Sequence, residues 1–247
     1  MSQLSLGSVA EVSQRHISFI ETGRSTPSRE LVRHLGAVLD VPLREQNVML
    51  AAAGYAPSHS ETDPGALVEL LPSLQFVVDA HAPYMAVVVD RAWNVVAANG
   101  PAQWFAAELL DPKAVAADGV LNLMRATFHP EGLQRFITNW DVVGRILLSG
   151  LERDAARFPG DTGLAALLDE VREDLPTSVA SLESAGALLV PLHYEIGRHR
   201  FELFTTIATI DAPLDVTVSE LRIETFWPAD QASADAWRQF LGASVGN

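Results

Sequence analysis

The side chains best suited to contacting a nucleic acid lie between residues 13 and 24. Ser13 can cap a helix over residues 14–22, in which Ile17 and Ile20 share one face and are expected to be buried, and Gly23 can end that helix. Gln and Arg pair with adenine and guanine in the major groove of DNA, and apolar side chains contact the thymine methyl group. We therefore predict a DNA-recognition helix with contacts from Ser13, Gln14, Arg15, His16, Ser18, Phe19 and Arg24.

A second group of polar and amphipathic side chains lies among apolar residues of the central part of the chain. An apolar pocket needs a few such groups to hold the polar end of a ligand, and the Arg125 guanidinium would suit a carboxylate through a bidentate contact. The ligand-binding candidates are Trp104, Arg125, His129, Asn139 and Trp140. The alternative roles are structural: Asn139 and Asp141 as helix caps, His129-Pro130 as a turn, and the tryptophans as core residues.

A third group of residues has the types that a metal site requires. His193, Glu195 and His199 could supply two imidazoles and a carboxylate to a metal ion. Apolar residues at 192, 194 and 196 alternate with them, which places His193 and Glu195 on the solvated face of a strand. The sequence has no His-Glu-x-x-His, Gly-x-x-x-x-Gly-Lys or Gly-x-Gly-x-x-Gly motif. We predict no catalytic residues, no metal, no cofactor and no enzymatic activity.

Composition and charge limit the class of protein. The 247 residues are 48% hydrophobic and 19% charged, which is enough for one small and one larger folded domain. There is no apolar run of membrane-spanning length, no secretory leader and no cysteine, so we expect a cytoplasmic protein without a membrane partner. The net charge is −14, yet residues 1–57 carry five Arg and five acidic residues, so the acidity belongs to residues 58–247. The neutral N-terminal part can approach DNA phosphates, whereas the acidic remainder would be repelled by them.

In the first 57 residues, the apolar positions have the spacing expected of several short helices. Apolar residues at helical intervals predict a supporting helix before residue 13 and two further helices, over residues 29–39 and 44–53. Ser28 could cap the first of these two and Gly54 could close the second. Residues 58–65, which follow the second helix, are rich in Pro, Ser and Gly, a composition typical of a linker. We therefore predict a helical domain at 1–57, a linker at 58–65 and a second domain at 66–247.

The second domain combines helices with strands. Pro72 interrupts its first helical stripe and either kinks that helix or opens a new one. Apolar residues at helix-like spacing between positions 109 and 168, including Val143, Ile146 and Leu147, are expected to form a pocket wall. Runs rich in β-branched and aromatic residues predict five strands, at residues 85–89, 93–99, 188–196, 201–210 and 216–226. The fold class is therefore α+β, with an antiparallel sheet and flanking helices.

Several longer segments resemble a known family of proteins. The first domain resembles the all-α, lambda-repressor-like helix-turn-helix head of XRE-family regulators, through SQLSLGSVAEVSQRHISFIE at 2–21, ETGRSTPSRE at 21–30 and AAGYAP at 52–57. The second resembles their MmyB-like ligand-binding domain, through HAPY at 81–84, VVDRAWNVVAAN at 88–99, FHPEGL at 128–133, TNWD at 138–141 and DVTVSELRIETFWPAD at 215–230. The resemblance implies a transcription regulator, usually a homodimer, that binds a double-stranded DNA operator. Its PAS-like domain would bind a small apolar ligand, suspected to be fatty-acid-like.

Three features depart from the XRE pattern. Gly7 stands where Ala is usual and would weaken a helix by about 1 kcal/mol, and Glu11 stands where the turn between the helices usually has Gly. The first helix of the family's head has no counterpart after Met1. Either the true start lies upstream or the truncated head binds DNA poorly, so the alternative function is a ligand-binding or heterodimerising module that has lost DNA binding.

Overall fold

The structure is a computed structural model that describes residues 1–62, 64–111, 116–117, 119–158, 160–173, 189–210 and 215–244. The chain forms two compact units. The first unit comprises residues 1–66 and, among the described residues, 215–219. The second unit comprises residues 67–210 and 220–247. Over the described ranges, every helix is too short or too polar to cross a membrane.

Four helices make up most of the first unit: α1 Gln3–Val9, α2 Gln14–Glu21, α3 Arg29–Val38 and α4 Leu43–Ala52. Ser13 caps α2, because its Oγ accepts a hydrogen bond from the His16 amide at 3.2 Å, as predicted. Gly23 follows α2 with φ of +68°, which ends the helix in the left-handed region. Ile17 is buried and Ile20 is half-buried, so the predicted inward face of α2 is the observed one.

Gly7 lies where α1 comes closest to the chain that enters α2. A Cβ atom at this position would lie 2.6 Å from the Val12 carbonyl oxygen and 3.3 Å from the Gln14 amide nitrogen. Both are backbone atoms that cannot move without shifting the turn, where Glu11 has φ of +54°. Packing therefore requires glycine at this position. The sequence predicted only that Gly7 weakens the helix, because the close approach of the two chain segments is a tertiary contact.

We expect Gly7→Ala to destabilise the first unit by roughly 1–2 kcal/mol, because overpacking outweighs the better helix propensity of Ala. Hydrogen exchange of peptides from residues 1–25 in the full chain measures this locally. Gly150→Ala is the matched control, since a Cβ there meets only the end of the Arg153 side chain at 3.8 Å and the substitution should be neutral or stabilising. Unchanged or slower exchange in Gly7→Ala would contradict the close approach.

The second unit surrounds a sheet of five antiparallel strands, as the sequence predicted. The strands are β1 Ala86–Val89, β2 Val95–Ala98, β5 Leu192–Ile196, β6 His199–Thr209 and β7 Arg222–Pro228, and a separate two-stranded pair is formed by β3 Ala116–Ala117 and β4 Val120–Leu121. The order in the sheet is β2-β1-β7-β6-β5, so the last three strands form a meander whose final strand pairs with the first hairpin.

Helices flank this sheet: α5 Leu71–Asp79, α6 Gly100–Leu109, α7 Leu123–Phe128, α8 Trp140–Arg157, α9 Thr162–Glu173 and α11 Gln231–Ser244. Two 3-10 helices lie at Pro64–Glu69 and Leu133–Phe136. Pro72 lies in the first turn of α5, so it opens a new helix rather than kinking an existing one. The inward face of the sheet carries Leu192, Tyr194 and Ile196, which alternate with half-buried residues along β5.

The prediction of one strand over residues 216–226 is wrong in its first half. Val216–Ser219 is a short helix, α10, and β7 begins only at Arg222. Asp215 caps α10, because its Oδ1 accepts a hydrogen bond from the Val218 amide at 3.1 Å. The Thr217 hydroxyl donates to the Thr62 carbonyl at 2.7 Å. These contacts outweigh the β propensity of Val and Thr.

Candidate functional site

A cavity of about 320 Å³ opens between α8 and the β5–β6 end of the sheet, a volume within the range of small-molecule sites. Its apolar lining comprises Val143, Ile146, Leu147, Leu189, Val190 and Leu192. The three residues from α8 are among those predicted from the sequence to form a pocket wall. The seventh lining residue, Thr205 on β6, is the one polar residue that the described part of the chain contributes to the lining.

Glu224 lies behind this wall. It is on β7, with 6% of its surface exposed, on the same face of the sheet as Phe226. Burial raises the pKa of Glu224 to about 7, although the neighbouring Thr205 side chain and the positive charge of Arg222 both lower it. The Oε2 atom is buried and has no hydrogen-bond partner in the described ranges. Burial and the charge of Glu224 also raise the pKa of Tyr194 on the same face.

The Arg222 guanidinium is held away from the cavity by other partners. Its NH1 atom lies 2.6 Å from Oδ2 of Asp154 on α8, and its NH2 atom donates to the Arg91 carbonyl at 3.3 Å. The group also lies over the Trp93 ring, 4.7 Å from its centre. Arg222 is thus a structural cation that joins β7 to α8.

Arg125, the predicted carboxylate partner, is already paired within the protein. Its Nε and NH2 atoms donate to the two carboxylate oxygens of Glu170 on α9, at 2.6 and 2.8 Å. This hydrogen bond with Arg125 holds the pKa of Glu170 below its usual value. A ligand carboxylate would have to displace Glu170 from a bidentate contact of the strong, charge-assisted kind.

The other four predicted ligand residues also have protein contacts and lie outside the cavity lining. Trp104 packs edge-on against Phe240 at 5.1 Å, and Trp140 packs edge-on against Phe128 at 5.0 Å between ring centres. His129 Nδ1 accepts a hydrogen bond from the Glu131 amide at 3.1 Å, which fits the turn alternative.

Asn139 occupies the N-cap position of α8, yet its side chain makes no capping hydrogen bond. Its amide instead donates to the Pro191 carbonyl at 2.8 Å and accepts from the His193 amide at 3.0 Å, which ties the start of α8 to β5. Buried Nε1 of Trp140 has no partner in the described ranges.

The three residues considered for a metal do not converge. His193 Nε2 lies 3.7 Å from Glu202, Glu195 is paired with Arg200 at 3.0 Å, and His199 packs against the Phe240 ring. Within the described residues, His and acidic side chains form no group of three able to hold a metal ion. The run GASVG at 242–246 matches the Gly-x-Ser-x-Gly pattern, but Ser244 is the last residue of α11 and not part of a strand-to-helix turn, which that motif requires.

The predicted DNA-contact residues belong to α2 and its two ends. Ser13, Gln14, Arg15 and Arg24 are exposed, whereas His16, Ser18 and Phe19 are half-buried. The Arg15 guanidinium lies 5.1 Å from the centre of the Phe19 ring, which holds it along the helix surface. Gln14 and Arg15 are thus presented at the N-terminal end of α2.

Neither Thr205 nor Glu224 was among the residues predicted from the sequence. A usable signal existed, since alternation along β7 puts Arg222 and Glu224 on the same face as buried Phe226. Two charged residues at inward positions of a strand indicate a special environment. Their partners on β6 and α8 could not be assigned from the sequence.

A family model described as MmyB-like transcription regulator ligand binding domain matches residues 70–240, more than half of the chain. A comparison with curated proteins gives no significant match.

Proposed function

The chain belongs to the MmyB-like transcription regulator family through its ligand-binding domain, and from this premise we propose that it is a DNA-binding regulator without enzymatic activity that responds to a small apolar ligand. The first unit would be its helix-turn-helix head, and the second a PAS-like sensor whose ligand has a fatty-acid-like chain. Because only differential affinity shifts an equilibrium, the ligand must bind one conformation of the regulator better than the other.

The main support for this proposal comes from residues 215–219, which lie between β6 and β7 along the chain. Thr205 and Glu224 lie on these two strands of the second unit, yet the described residues that join the strands belong to the first unit. The Val216 amide donates to the Ser60 carbonyl at 2.8 Å, and the Thr62 hydroxyl donates to the Asp215 carboxylate at 2.7 Å. A ligand that shifts β6 or β7 would therefore act on residues packed within the helical unit.

The surface of α2 supports DNA binding. A recognition helix enters the major groove with its N-terminal residues first, and Gln14 and Arg15 are exposed at that end. Ser13 and Gly7 fix the turn that positions α2 through the contacts described above. A homodimer would place two such helices on an inverted-repeat operator, one per half-site.

We expect Arg15→Ala to weaken operator binding by about 1–3 kcal/mol and to relax one base preference, because a bidentate contact to guanine is lost. Fluorescence anisotropy with the protein's own promoter DNA over a salt series measures both effects. Arg198→Ala is the charge-matched control, since Arg198 is exposed in the turn between β5 and β6. Equal affinity of wild type and Arg15→Ala would exclude α2 as the recognition helix.

A second candidate function has one observation in its favour. Leu4 and Val9 on α1 are 65% and 58% exposed, and exposed apolar residues on one helix can pack against a partner helix. The protein would then be a ligand-binding or heterodimerising module without its own DNA activity. Salt-dependent and sequence-dependent binding by the full chain alone would rule this out.

A further inference from the structure

One face of the five-stranded sheet is covered by α5 over only part of its width. Ala86 of β1 lies on this face, next to α5, and is completely buried. Its partner on β7, Thr225, is half-buried, and Thr206, the next residue of the same row on β6, is exposed. The neighbouring row shows the same change from buried to exposed, through Val88, Ile223 and Ala208. The cover that α5 provides thus ends near β1 and leaves β6 and β7 accessible.

The accessible part of this face carries no ionisable side chain. We call it the outer face, and it consists of Phe204, Thr206 and Ala208 on β6 and Ile223, Thr225 and Trp227 on β7. The Thr206 and Thr225 hydroxyl oxygens lie 2.7 Å apart, and Trp227 Nε1 donates to them at 3.2 and 3.0 Å. Because these polar groups hydrogen-bond to one another, a partner can cover the outer face at little cost in desolvation.

Exposed apolar residues of α5 border the outer face. Gln75, on one flank of α5, donates to a carbonyl of the edge strand β2 at 3.1 Å. Val77 lies on the opposite flank by helical spacing, toward β7, and is 48% exposed. Phe76 beside it is 77% exposed. His81, just after α5, packs edge-on against Trp227, with 4.5 Å between ring centres. The apolar surface therefore continues from the sheet onto α5.

We propose that the outer face is a dimer interface, on which a second copy of this chain packs its own outer face about a two-fold axis. This inference rests on the proposed regulator function, because an inverted-repeat operator is read by two copies, and it assigns the surface that joins them. The two sheets would pack face to face, about 10 Å apart.

Charge favours a second copy as the partner. The chain has a net charge of −14, so two copies repel each other unless they meet through an uncharged surface. Charged residues lie at the other end of the same sheet face and include both signs: Glu195 pairs with Arg200 at 3.0 Å, and Glu202 lies 3.7 Å from His193. A nucleic acid or an anionic membrane surface would require cations on the outer face. An identical uncharged and flat face matches it in both charge and shape.

The area of this side of the sheet is close to what a specific dimer needs. From Arg200 to Ala208, β6 spans about 27 Å, and β5, β6, β7 and the flank of α5 together span about 25 Å. The product is roughly 700 Å² per partner, against about 800 Å² in a standard interface. The uncharged outer face would form the apolar core of the interface, and the charged residues of β5 and the start of β6 would form its polar rim.

Sedimentation velocity of the full chain at micromolar concentrations tests the inference. Wild type is expected to sediment as a dimer. Ala208→Glu and Phe76→Glu each place like charges on both sides of the interface and should raise the dissociation constant of the dimer at least about 100-fold. Both side chains are exposed within one chain, so the fold should be retained, which circular dichroism checks. Val120→Glu is the matched control, because Val120 is 45% exposed on β4, outside the five-stranded sheet, and should leave the dimer intact.

A spin label locates the interface without adding charge. The chain has no cysteine, so Ala208→Cys carries a single label per copy. We expect dipolar broadening of its spectrum, because the two labels face each other across the interface. The broadening should disappear when the labelled chain is mixed with an excess of unlabelled chain. The same label in Val120→Cys should show no broadening.

The outcomes separate the possible occupants of the outer face. A dimer that Ala208→Glu and Phe76→Glu dissociate, with broadening at position 208, supports a second copy. A monomeric wild type overturns the inference and leaves the outer face to another part of the same chain or to a different protein. A dimer that both variants leave intact, or a label at position 208 without broadening, also overturns it. Neither measurement uses DNA, so the DNA affinity of wild type and Arg15→Ala decides the proposed regulator function separately.

Discussion

Trp237→Ala is expected to lower the free energy of unfolding of the second unit by about 3–5 kcal/mol. The Trp237 side chain is completely buried on α11 and packs against Phe201, Phe105 and Phe240, with ring centres 5.4, 5.8 and 6.0 Å away. Its Nε1 atom also donates to the Pro83 carbonyl at 2.8 Å. The substitution thus leaves a large cavity and an unsatisfied carbonyl at the junction of α11 with the sheet.

Urea unfolding of the full chain, followed by intrinsic fluorescence, measures this loss. All five tryptophans lie in the second unit, so the signal reports that unit and four fluorophores remain in the variant. Trp227→Ala is the matched control, because Trp227 is 41% exposed and should cost no more than about 1 kcal/mol. Similar losses in the two variants would show that α11 does not pack as described.

Asn99→Ala is expected to cost roughly 3–5 kcal/mol, an unusually large effect for a polar residue. Asn99 is completely buried between β2 and α6. Its Oδ1 atom accepts from the Ala86 and Ala102 amides, each at 3.1 Å. Its Nδ2 atom donates to the Val78 and Tyr84 carbonyls, at 3.1 and 2.8 Å. Removal of the side chain leaves four backbone groups without these partners.

Asn99→Asp separates the two halves of this network. The carboxylate keeps the acceptor contacts with the two amides but cannot donate to the two carbonyls and adds a buried charge, so it should also destabilise strongly. Gln103→Ala is the control, since Gln103 is an exposed amide that donates only to the Ala98 carbonyl in the described ranges. If Asn99→Ala unfolded at the same urea concentration as Gln103→Ala, the network would contribute little to stability.

Much of the fold followed from local sequence patterns. Five strands, their meander and the α+β class were predicted, and they are observed with shorter bounds for most strands. Trp93, for example, was placed in a strand, but it has φ of +67° and precedes β2. Strand ends depend on cross-strand partners, and Val95 is the first residue of β2 with such a partner in β1.

The candidate site was less predictable. Three of its wall residues, Val143, Ile146 and Leu147, were identified because helical spacing is a local property. The five predicted ligand residues instead have contacts within the protein, as Arg125 does with Glu170, 45 residues away. An Arg among apolar residues has the same local pattern whether its partner is a ligand or a distant carboxylate.

By itself, the sequence determined the helix starts at Ser13 and Ser28, the alternation of β5 and the resemblance that places the chain in its family. The helix starts depend on contacts within one turn of helix, and the alternation depends on residues two apart on a strand. Only the tertiary structure decided that Thr205 lines a cavity and that Glu224 is buried behind it. Such relations depend on the order of strands in the sheet and on the packing of α8 over it, which bring together residues that are far apart along the chain and so leave no local pattern in the sequence.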